Sequence, residues 1–266
     1  MATLIDSVAS TNLTTALGGS APSAADDVLL QSSNRYTAGA TFGSTALARM
    51  ELTPTFGGLI ADTTLTFTAT SGKVRNRGRS RQVKWGANAT ASVWALYLNM
   101  PSADGLVQIS NVTITSGFWV GGQGVVEDTT VLTAMWVHGG MLSIQRQASA
   151  GNAVGTLNVT AGTVELARDI GTLNTYGGSI NIDDVHVGPT NVNVYNGSIA
   201  WGRAATAQGT LVAYAGLLDF SNLAQDITFT AVTLGPAVKI RLPTTGATIT
   251  WGSVTLPGDV DPRQAI

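Results

Sequence analysis

The fold is decided by Ala134-Met135-Trp136-Val137-His138-Gly139-Gly140-Met141-Leu142-Ser143-Ile144, in which one glycine, Gly140, separates two short strands of alternating side chains. Counted from that glycine, the side chains five and three places before it and two and four places after it are apolar. The template recurs, with nearly all of these positions apolar, in Thr156 to Leu166, Thr172 to Ile182, Asn191 to Trp201 and Thr210 to Phe220. A strand–glycine–strand unit repeated along a chain predicts a stack of similar turns.

The spacing of the template glycines identifies the kind of stack. They are Gly140, Gly162, Gly178, Gly197 and Gly216, which lie 22, 16, 19 and 19 residues apart. This period is too short for a helical hairpin repeat or a propeller blade, and it fits one turn of a parallel β-helix. The sequence therefore predicts an all-β fold, a right-handed parallel β-helix or β-solenoid with irregular N- and C-terminal caps. A β-sandwich is the alternative, because short strands with frequent turns also describe it. The constant register around the glycine favours the solenoid.

Weaker copies of the template and the placement of proline divide the chain into three predicted parts. Partial templates surround Gly72 and Gly117, and residues 227–230 and 248–251 resemble further strands. Residues 1–60 are predicted to form an N-terminal arm and cap, residues 61–235 the β-solenoid body, and residues 236–266 a C-terminal cap or extended tail. The last boundary rests on recurring prolines, because proline lacks the amide donor that a central strand needs. They are Pro236, Pro243, Pro257 and Pro262.

The composition predicts a neutral structural protein that associates. Only 11% of the residues are charged, against about 25% in an ordinary soluble domain, so small neutral and apolar side chains must also lie outside. Burial of such a surface against other subunits is expected. No apolar run approaches the roughly 18 residues of a membrane span. The absence of cysteine excludes disulfides, cysteine-type zinc sites and a thiol nucleophile, and the N-terminus lacks the basic region of a secretory signal.

One segment, from Lys73 to Lys84, concentrates positive charge. In an extended strand its alternating arginines would line one face, where guanidinium groups can pair with carboxylates. We predict that this face binds an acidic partner protein. The alternatives are a solvated strand edge that prevents aggregation, an anionic glycan contact, and a nucleic-acid contact, which the net charge of −2 disfavours. The basic residues are Lys73, Arg75, Arg77, Arg79, Arg81 and Lys84, six of the chain's 14 Lys and Arg.

Groups that could carry catalysis are sparse. Adjacent residues on a strand point to opposite sides, so a pair of neighbouring acids does not by itself supply two convergent carboxylates, and solvated turns explain such pairs. The two histidines, His138 and His186, have no partner at metal-ligand spacing. No catalytic, metal or cofactor site is therefore predicted. The candidates considered are Glu127-Asp128, Asp183-Asp184 with His186, and Glu165 with Arg168 and Asp169.

Aromatic residues recur at one place of the template, two residues before the glycine. They are Tyr176, Tyr195 and Tyr214. Stacked turns would align the three rings in a ladder along one edge of the solenoid, and the ladder would stabilise the stack. The alternative is a binding stripe for carbohydrate or for another subunit, with the outward Trp136 beside it.

Together these features resemble a bacteriophage virion protein of the β-helical kind, most closely a head decoration or cement protein. The likeness rests on the Thr/Asn/Gly/Ala-rich repeats of residues 61–235, the lack of cysteine and signal peptide, the low charge and the irregular termini. Phage tailspikes are usually longer, with separate particle-binding and trimerisation domains, and 266 residues leave little room for both.

The resemblance implies a non-enzymatic homotrimer that binds the major capsid protein and stabilises the capsid. It would be synthesised in the host cytoplasm without a signal peptide and reside on the capsid exterior of the virion, with no nucleic acid, membrane or cofactor as a partner. Two other functions stay open. One is a tail-fibre or tailspike-type appendage that binds host-surface glycan. The other is a β-helical polysaccharide lyase or hydrolase, which would need several carboxylates, or carboxylates with Arg and Lys, on one outer strand face.

Overall fold

In the computed structural model the chain is a parallel β-solenoid, and the regular structure of its described residues is strand apart from one four-residue helix. The fold class predicted from the template glycines is therefore confirmed, and the sandwich alternative, which needs antiparallel sheets, is wrong. The structure describes residues 2–19, 26–36, 49–60, 68–76, 82–99, 106–127, 131–145, 154–183, 189–203 and 207–256. For residues 59–60, 68–76, 82–99, 106–108 and 110–112 it describes the backbone alone.

The described elements are one short helix and a series of strands. The helix α1 spans Leu13–Ala16. The first nine strands are β1 Thr3–Ile5, β2 Asp27–Leu30, β3 Arg35–Tyr36, β4 Arg49–Leu52, β5 Leu59–Ile60, β6 Thr68–Asn76, β7 Gln82–Asn99, β8 Leu106–Gly121 and β9 Gln123–Val126. The later strands are β10 Val131–Val137, β11 Met141–Ile144, β12 Val154–Val159, β13 Thr163–Leu166, β14 Ile170–Thr175, β15 Ser179–Ile182, β16 Asn191–Val194, β17 Ser198–Trp201, β18 Ala207–Asp219, β19 Ile227–Arg241, β20 Ile249–Trp251 and β21 Val254–Thr255.

The chain divides into two compact units, and the first comprises Met1–Met135 with Gly140–Leu142. Its strands stack in parallel series. In one series β1, β2, β4 and β6 pair in that order, and in the other β3, β5 and β7 do so. β7 also pairs with β6 and β8, and β8 with β9. Parallel pairing thus begins at β1, within the segment that the sequence assigns to an arm and cap. The boundaries at residues 60 and 235 remain predictions.

Alternation along the strands builds the core of the first unit. Val28 and Leu30 are fully buried, and the parallel register sets Met50 and Leu52 of the next turn directly on them. Burial of each such side chain contributes about 1.5–3 kcal/mol. The helix α1 begins after Asn12, whose side-chain oxygen accepts a backbone hydrogen bond of 3.1 Å from the first turn.

A polar cluster is buried in the first unit around Asp6, which is 2% exposed. Its carboxylate accepts hydrogen bonds from the Tyr36 hydroxyl at 2.7 Å, the Ser32 hydroxyl at 2.5 Å and the Gln31 backbone N–H at 2.7 Å. These donors offset the cost of burying the carboxylate. Burial, together with the adjacent Asp6, raises the pKa of Tyr36 to about 12.

We expect the free energy of unfolding of the chain to fall as the pH rises from 10 to 12. Tyr36 has an ordinary pKa of 10.0, so the raised pKa stabilises the fold fully below pH 10, and this contribution is lost as the pH rises through about 12. The loss corresponds to about 2 kcal/mol and is measured by urea denaturation across this range. Tyr36→Phe should show a smaller fall over the same range. An equal fall in both proteins would contradict this role of Tyr36.

The second unit comprises Trp136–Gly139 with Ser143–Ile266, and its turns follow the template. The strands before the glycines stack in the order β12, β14, β16, β18, β19 and β20. The strands after them stack as β13, β15 and β17, followed by the ends of β18 and β19. The register aligns Leu157, Leu173, Val192 and Leu211 in one buried column. This is the column that the template predicts.

The inward template positions of these turns form a buried core in which one side chain, Thr175, is polar and is hydrogen-bonded. Thr175 takes a place that is apolar in the other template segments and is 0% exposed. Its hydroxyl lies 3.1 Å from the carbonyl oxygens of both Gly177 and Asn196, which satisfies the buried oxygen. Towards the C-terminal end the core becomes aromatic. The rings packed there are Trp201, Phe220, Phe229 and Trp251.

The template glycines lie at the corners of stacked turns, where both backbone conformation and space require glycine. The template glycines have φ between +70° and +103°, a region that other residues adopt at a cost of about 1–2 kcal/mol. Space is also lacking, because a Cβ on Gly178 would lie 2.6 Å from the Gly162 carbonyl oxygen. The turn that follows the last template glycine departs from the template. The register of β18 and β19 shifts there, so that Gly235 and Pro236 together lie opposite Tyr214, and such a bulge tolerates proline.

Candidate functional site

The predicted basic segment falls largely on residues whose side chains the structure does not describe. Arg77, Arg79 and Arg81 lie outside the described residues, whereas Lys73 and Arg75 lie in β6. β6 is paired on both sides, with β4 and with β7. A free sheet edge therefore does not account for Lys73 and Arg75.

The strand β4, which pairs with β6, carries charged side chains that form ion pairs. In β4, Arg49 forms ion pairs with Asp27 at 3.0 Å and with Glu51 at 3.8 Å. The parallel register sets Lys73 beside Arg49 and Arg75 beside Glu51, and Lys84 lies in β7. These turns therefore bring acidic and basic residues to neighbouring positions. Binding of an acidic partner by the basic segment remains a prediction.

Two of the acidic candidates that the structure describes, Glu165 and Asp183, connect one turn to the next. The Glu165 carboxylate accepts a hydrogen bond of 2.9 Å from the Asn181 amide in the following turn. The Asp183 carboxylate accepts one of 2.9 Å from the backbone N–H of Arg203. Arg168 is 1% exposed, a burial that the sequence does not reveal. These contacts hold the stack together, as ladder bonds do. Outside the described residues lie Asp128, Asp184 and His186.

The three template tyrosines stack ring on ring. The ring centroids of Tyr176 and Tyr195 are 4.8 Å apart and those of Tyr195 and Tyr214 are 5.3 Å apart, with planes within 14° of parallel. The Trp136 ring follows at 6.4 Å from Tyr176. The tyrosines are 42%, 42% and 52% exposed. Because Tyr176 and Tyr195 are flanked by rings on both faces, they offer edges and hydroxyls to a ligand.

An asparagine ladder lies beside the tyrosines, four places before the template glycines. The Asn174 amide donates to the Asn158 side-chain oxygen at 2.8 Å, and the Asn193 amide donates to that of Asn174 at 2.8 Å. Asn158 is only 5% exposed. Sequence reasoning does not single out these residues, although their shared place in the template is a signal. At the equivalent of the tyrosine place, the His138 ring nitrogen lies 2.9 Å from the Thr160 hydroxyl.

An open groove of about 650 Å³ lies at the C-terminal corner of the second unit. Its lining includes the template glycines Gly197 and Gly216 and the basic residues Lys239 and Arg241. Arg241 pairs with Asp219 at 3.0 Å, whereas Lys239 makes no ion pair within the described ranges. Hydrogen bonds from Ser221, and then from Arg241, lower the pKa of Asp219. Tyr214 is 52% exposed and stacks on Tyr195, and it is not part of the groove lining.

These ladders and the groove are the features that bear on function. Within the described residues no three His, Asp or Glu side chains gather as a metal ion would require. No helix in the part of the chain that the structure describes is long and apolar enough to cross a membrane. Comparison with family models, with curated proteins and with solved structures finds no match in any of the three.

Proposed function

We propose that the chain is a non-enzymatic structural protein of a bacteriophage virion, which decorates the capsid by binding the outer surface of the major capsid protein lattice. The observation that supports this best is how outward polar side chains are used. The Asn158, Asn174 and Asn193 ladder, like Glu165 and Asp183, bonds from turn to turn. Side chains that bond to the neighbouring turn stiffen the stack, as a protein that stabilises a shell requires. Catalysis would instead need side chains that converge on a substrate.

Self-association as a homotrimer is part of the proposal. Apolar side chains remain exposed in the second unit, where Leu242 is 62% and Val254 is 53% exposed. The tyrosine ladder adds exposed aromatic surface. Identical copies of the chain packed around an axis would cover such surface. Sedimentation of the purified chain measures its oligomeric state directly.

The attachment surface is proposed to be the basic segment, and its removal has a defined expected result. Changing Arg75, Arg77, Arg79 and Arg81 together to Ser should lower occupancy on particles, because the charge complementary to an acidic shell is lost. Binding of the unchanged protein should weaken as salt rises. Particles stripped of the protein and incubated again with each form provide the measurement, with bound protein quantified after sedimentation.

A matched control removes the same charge elsewhere on the chain. Arg35, Arg203, Lys239 and Arg241 changed together to Ser should leave occupancy unchanged, since the proposed attachment surface is intact. Full occupancy of the basic-segment variant, or rebinding that is equal at low and high salt, would remove this surface from the proposal. Failure of the unchanged protein to bind shells of the capsid protein of the same virus would overturn the decoration function itself.

A glycan-binding appendage is the second candidate, and the groove of the second unit favours it. Lys239 lines the groove and can bind an acidic substituent of a glycan, and Tyr214, which is 52% exposed, offers an aromatic ring to a sugar. Retention of the protein on an immobilised uronate polysaccharide, lost in Tyr214→Ala, would favour this candidate over the decoration function.

A further inference from the structure

The corner between β16 and β17 carries the one Asn-Gly sequence of the chain, Asn196-Gly197. Asn196 is exposed, and Gly197 has φ +93°. A glycine on the carboxyl side leaves the peptide nitrogen unshielded, because no side chain stands over it. We infer that Asn196 is a site of deamidation, in which the backbone nitrogen of Gly197 attacks the side-chain amide of Asn196.

The geometry brings the two reacting groups together. The Gly197 N–H donates a hydrogen bond of 2.8 Å to the Asn196 Oδ1 atom, so the nitrogen lies next to the side-chain amide whose carbon it would attack. The neighbouring backbone donors are occupied by the preceding turn, since Tyr195 N–H bonds to Thr175 O at 2.8 Å and Ser198 N–H bonds to Gly178 O at 3.0 Å. Among the described residues, Gly197 N–H has no acceptor besides the Asn196 side chain. The sheet therefore does not hold this nitrogen.

A buried hydroxyl activates the same peptide group. The Thr175 Oγ1 atom lies 3.1 Å from the Asn196 carbonyl oxygen, and it divides its donation with the Gly177 carbonyl oxygen, also at 3.1 Å. A hydrogen bond to that oxygen stabilises the peptide anion formed when Gly197 loses its proton, because the negative charge is shared between oxygen and nitrogen. Thr175 is 0% exposed, and hydrogen bonds to charge are stronger where water is excluded.

The reaction balances without a redox partner. Hydroxide from solvent takes the proton of Gly197 N–H, the nitrogen bonds to Cγ of Asn196, and the Cγ–Nδ2 bond breaks. Nδ2 takes a proton from water and leaves as ammonia. The new bond from the Gly197 nitrogen to Cγ closes a succinimide ring. Water then opens the ring at either carbonyl and gives aspartate or isoaspartate.

Either product changes this corner of the second unit. Asn196 lines the groove with Lys239 and Arg241, so aspartate adds a negative charge beside two cations. Isoaspartate lengthens the main chain by one carbon where a Cβ on Gly197 would already lie 2.7 Å from the Gly178 carbonyl oxygen. The modification therefore alters the charge of the groove or loosens the glycine column.

The template supplies variants that test the reaction in the folded protein. Other turns have alanine in the place of Asn196, at Ala161 and Ala215, so Asn196→Ala introduces a residue that the template accepts. In the same way, Thr175→Val introduces the valine that other turns have at Val159 and Val194. The full chain is aged in mildly alkaline buffer, and peptide mass spectrometry follows the mass gain at each asparagine. Melting temperatures show that the variants remain folded.

We expect faster deamidation at Asn196 than at Asn193, which lies in the asparagine ladder and is followed by Val194. Asn196→Ala should lose the mass gain of this peptide. Thr175→Val should slow the reaction about fivefold, the effect of one ordinary hydrogen bond, whereas Thr175→Ser should keep the original rate. In urea the difference between Thr175→Val and the unchanged chain should vanish.

Two results would overturn the inference. The first is deamidation of Asn196 in the folded chain that is no faster than that of Asn193. The second is a Thr175→Ser variant as slow as Thr175→Val, because a hydroxyl that activates the peptide would then have no effect. Should Thr175→Val unfold, Thr175→Ala removes the hydroxyl instead and places there the residue that the template has at Ala213. This variant should deamidate more slowly than Thr175→Ser in the folded chain and at the same rate in urea, and equal rates in the folded chain would overturn the role of the hydroxyl.

Discussion

Replacing Ile180 by aspartate should lower the free energy of unfolding of the second unit by at least about 4 kcal/mol, or prevent its folding. Ile180 is 0% exposed and is aligned with Val164 in the preceding turn and Ile199 in the following one. A carboxylate at this place would have apolar neighbours in both turns and no partner. Chemical denaturation followed by circular dichroism measures the loss.

The matched control for this variant is the neighbouring residue. Ser179 precedes Ile180 in β15 and is exposed, so Ser179→Asp should stay within about 0.5 kcal/mol of the unchanged chain. The same charge is thus placed one residue away on the opposite face of the strand. Equal stability of the two variants would mean that Ile180 does not face a packed core.

Replacing Gly178 by alanine should lower the free energy of unfolding by about 3 kcal/mol. The residue has φ +78°, which costs alanine about 1–2 kcal/mol, and its Cβ would lie 2.6 Å from the Gly162 carbonyl oxygen, so the two turns must separate. Gly246 is the control, because it has φ +87° and open space around its Cβ position. Gly246→Ala should lower the free energy of unfolding only by the cost of a positive φ for alanine, about 1 kcal/mol.

The comparison of these two glycines separates backbone conformation from close stacking. A larger loss at Gly178 than at Gly246 is expected from thermal or chemical denaturation. Equal losses would mean that the corner glycines serve conformation alone and that the turns do not approach closely there.

The register of the second unit could be predicted from the sequence because each turn repeats the same physical constraints. A glycine with positive φ sets the corner, and alternation then decides which side chains face inward, so aligning the template glycines aligns Leu173 with Val192. The first unit has strands of very different length, from Arg35–Tyr36 to Gln82–Asn99. Register partners of β1, β2, β4 and β6 lie 22 to 24 residues apart, but the sequence there holds no full copy of the glycine template, and without that marker the alignment cannot be derived from the sequence.

The features that the sequence did not predict depend on contacts between turns. The asparagine ladder needs the exact partner of Asn174 in each neighbouring turn, and the template records only that its place faces outward. The groove near Lys239 lies beside the shift at Gly235 and Pro236, where the repeat ends. The burial of Asp6 follows from donors 25 to 30 residues away in the chain.

The most direct test of the account is a disulfide between two adjacent turns, since the chain has no cysteine of its own. Ser179 and Ser198 are partners in the parallel register, and their hydroxyl oxygens are 3.2 Å apart. Stacked strands lie about 4.8 Å apart, within the separation that a disulfide bridges. As a control, Ala200 lies two residues beyond Ser198 on the same side of β17, which adds roughly 7 Å along the strand.

Ser179→Cys with Ser198→Cys should oxidise to an intramolecular disulfide in the native protein, whereas Ser179→Cys with Ala200→Cys should keep its free thiols. Thiol titration and non-reducing electrophoresis of both double variants give the result. Turn-on-turn parallel stacking in the template register predicts one bridged and one unbridged protein. Free thiols in the first variant, or equal bridging in both, would contradict it.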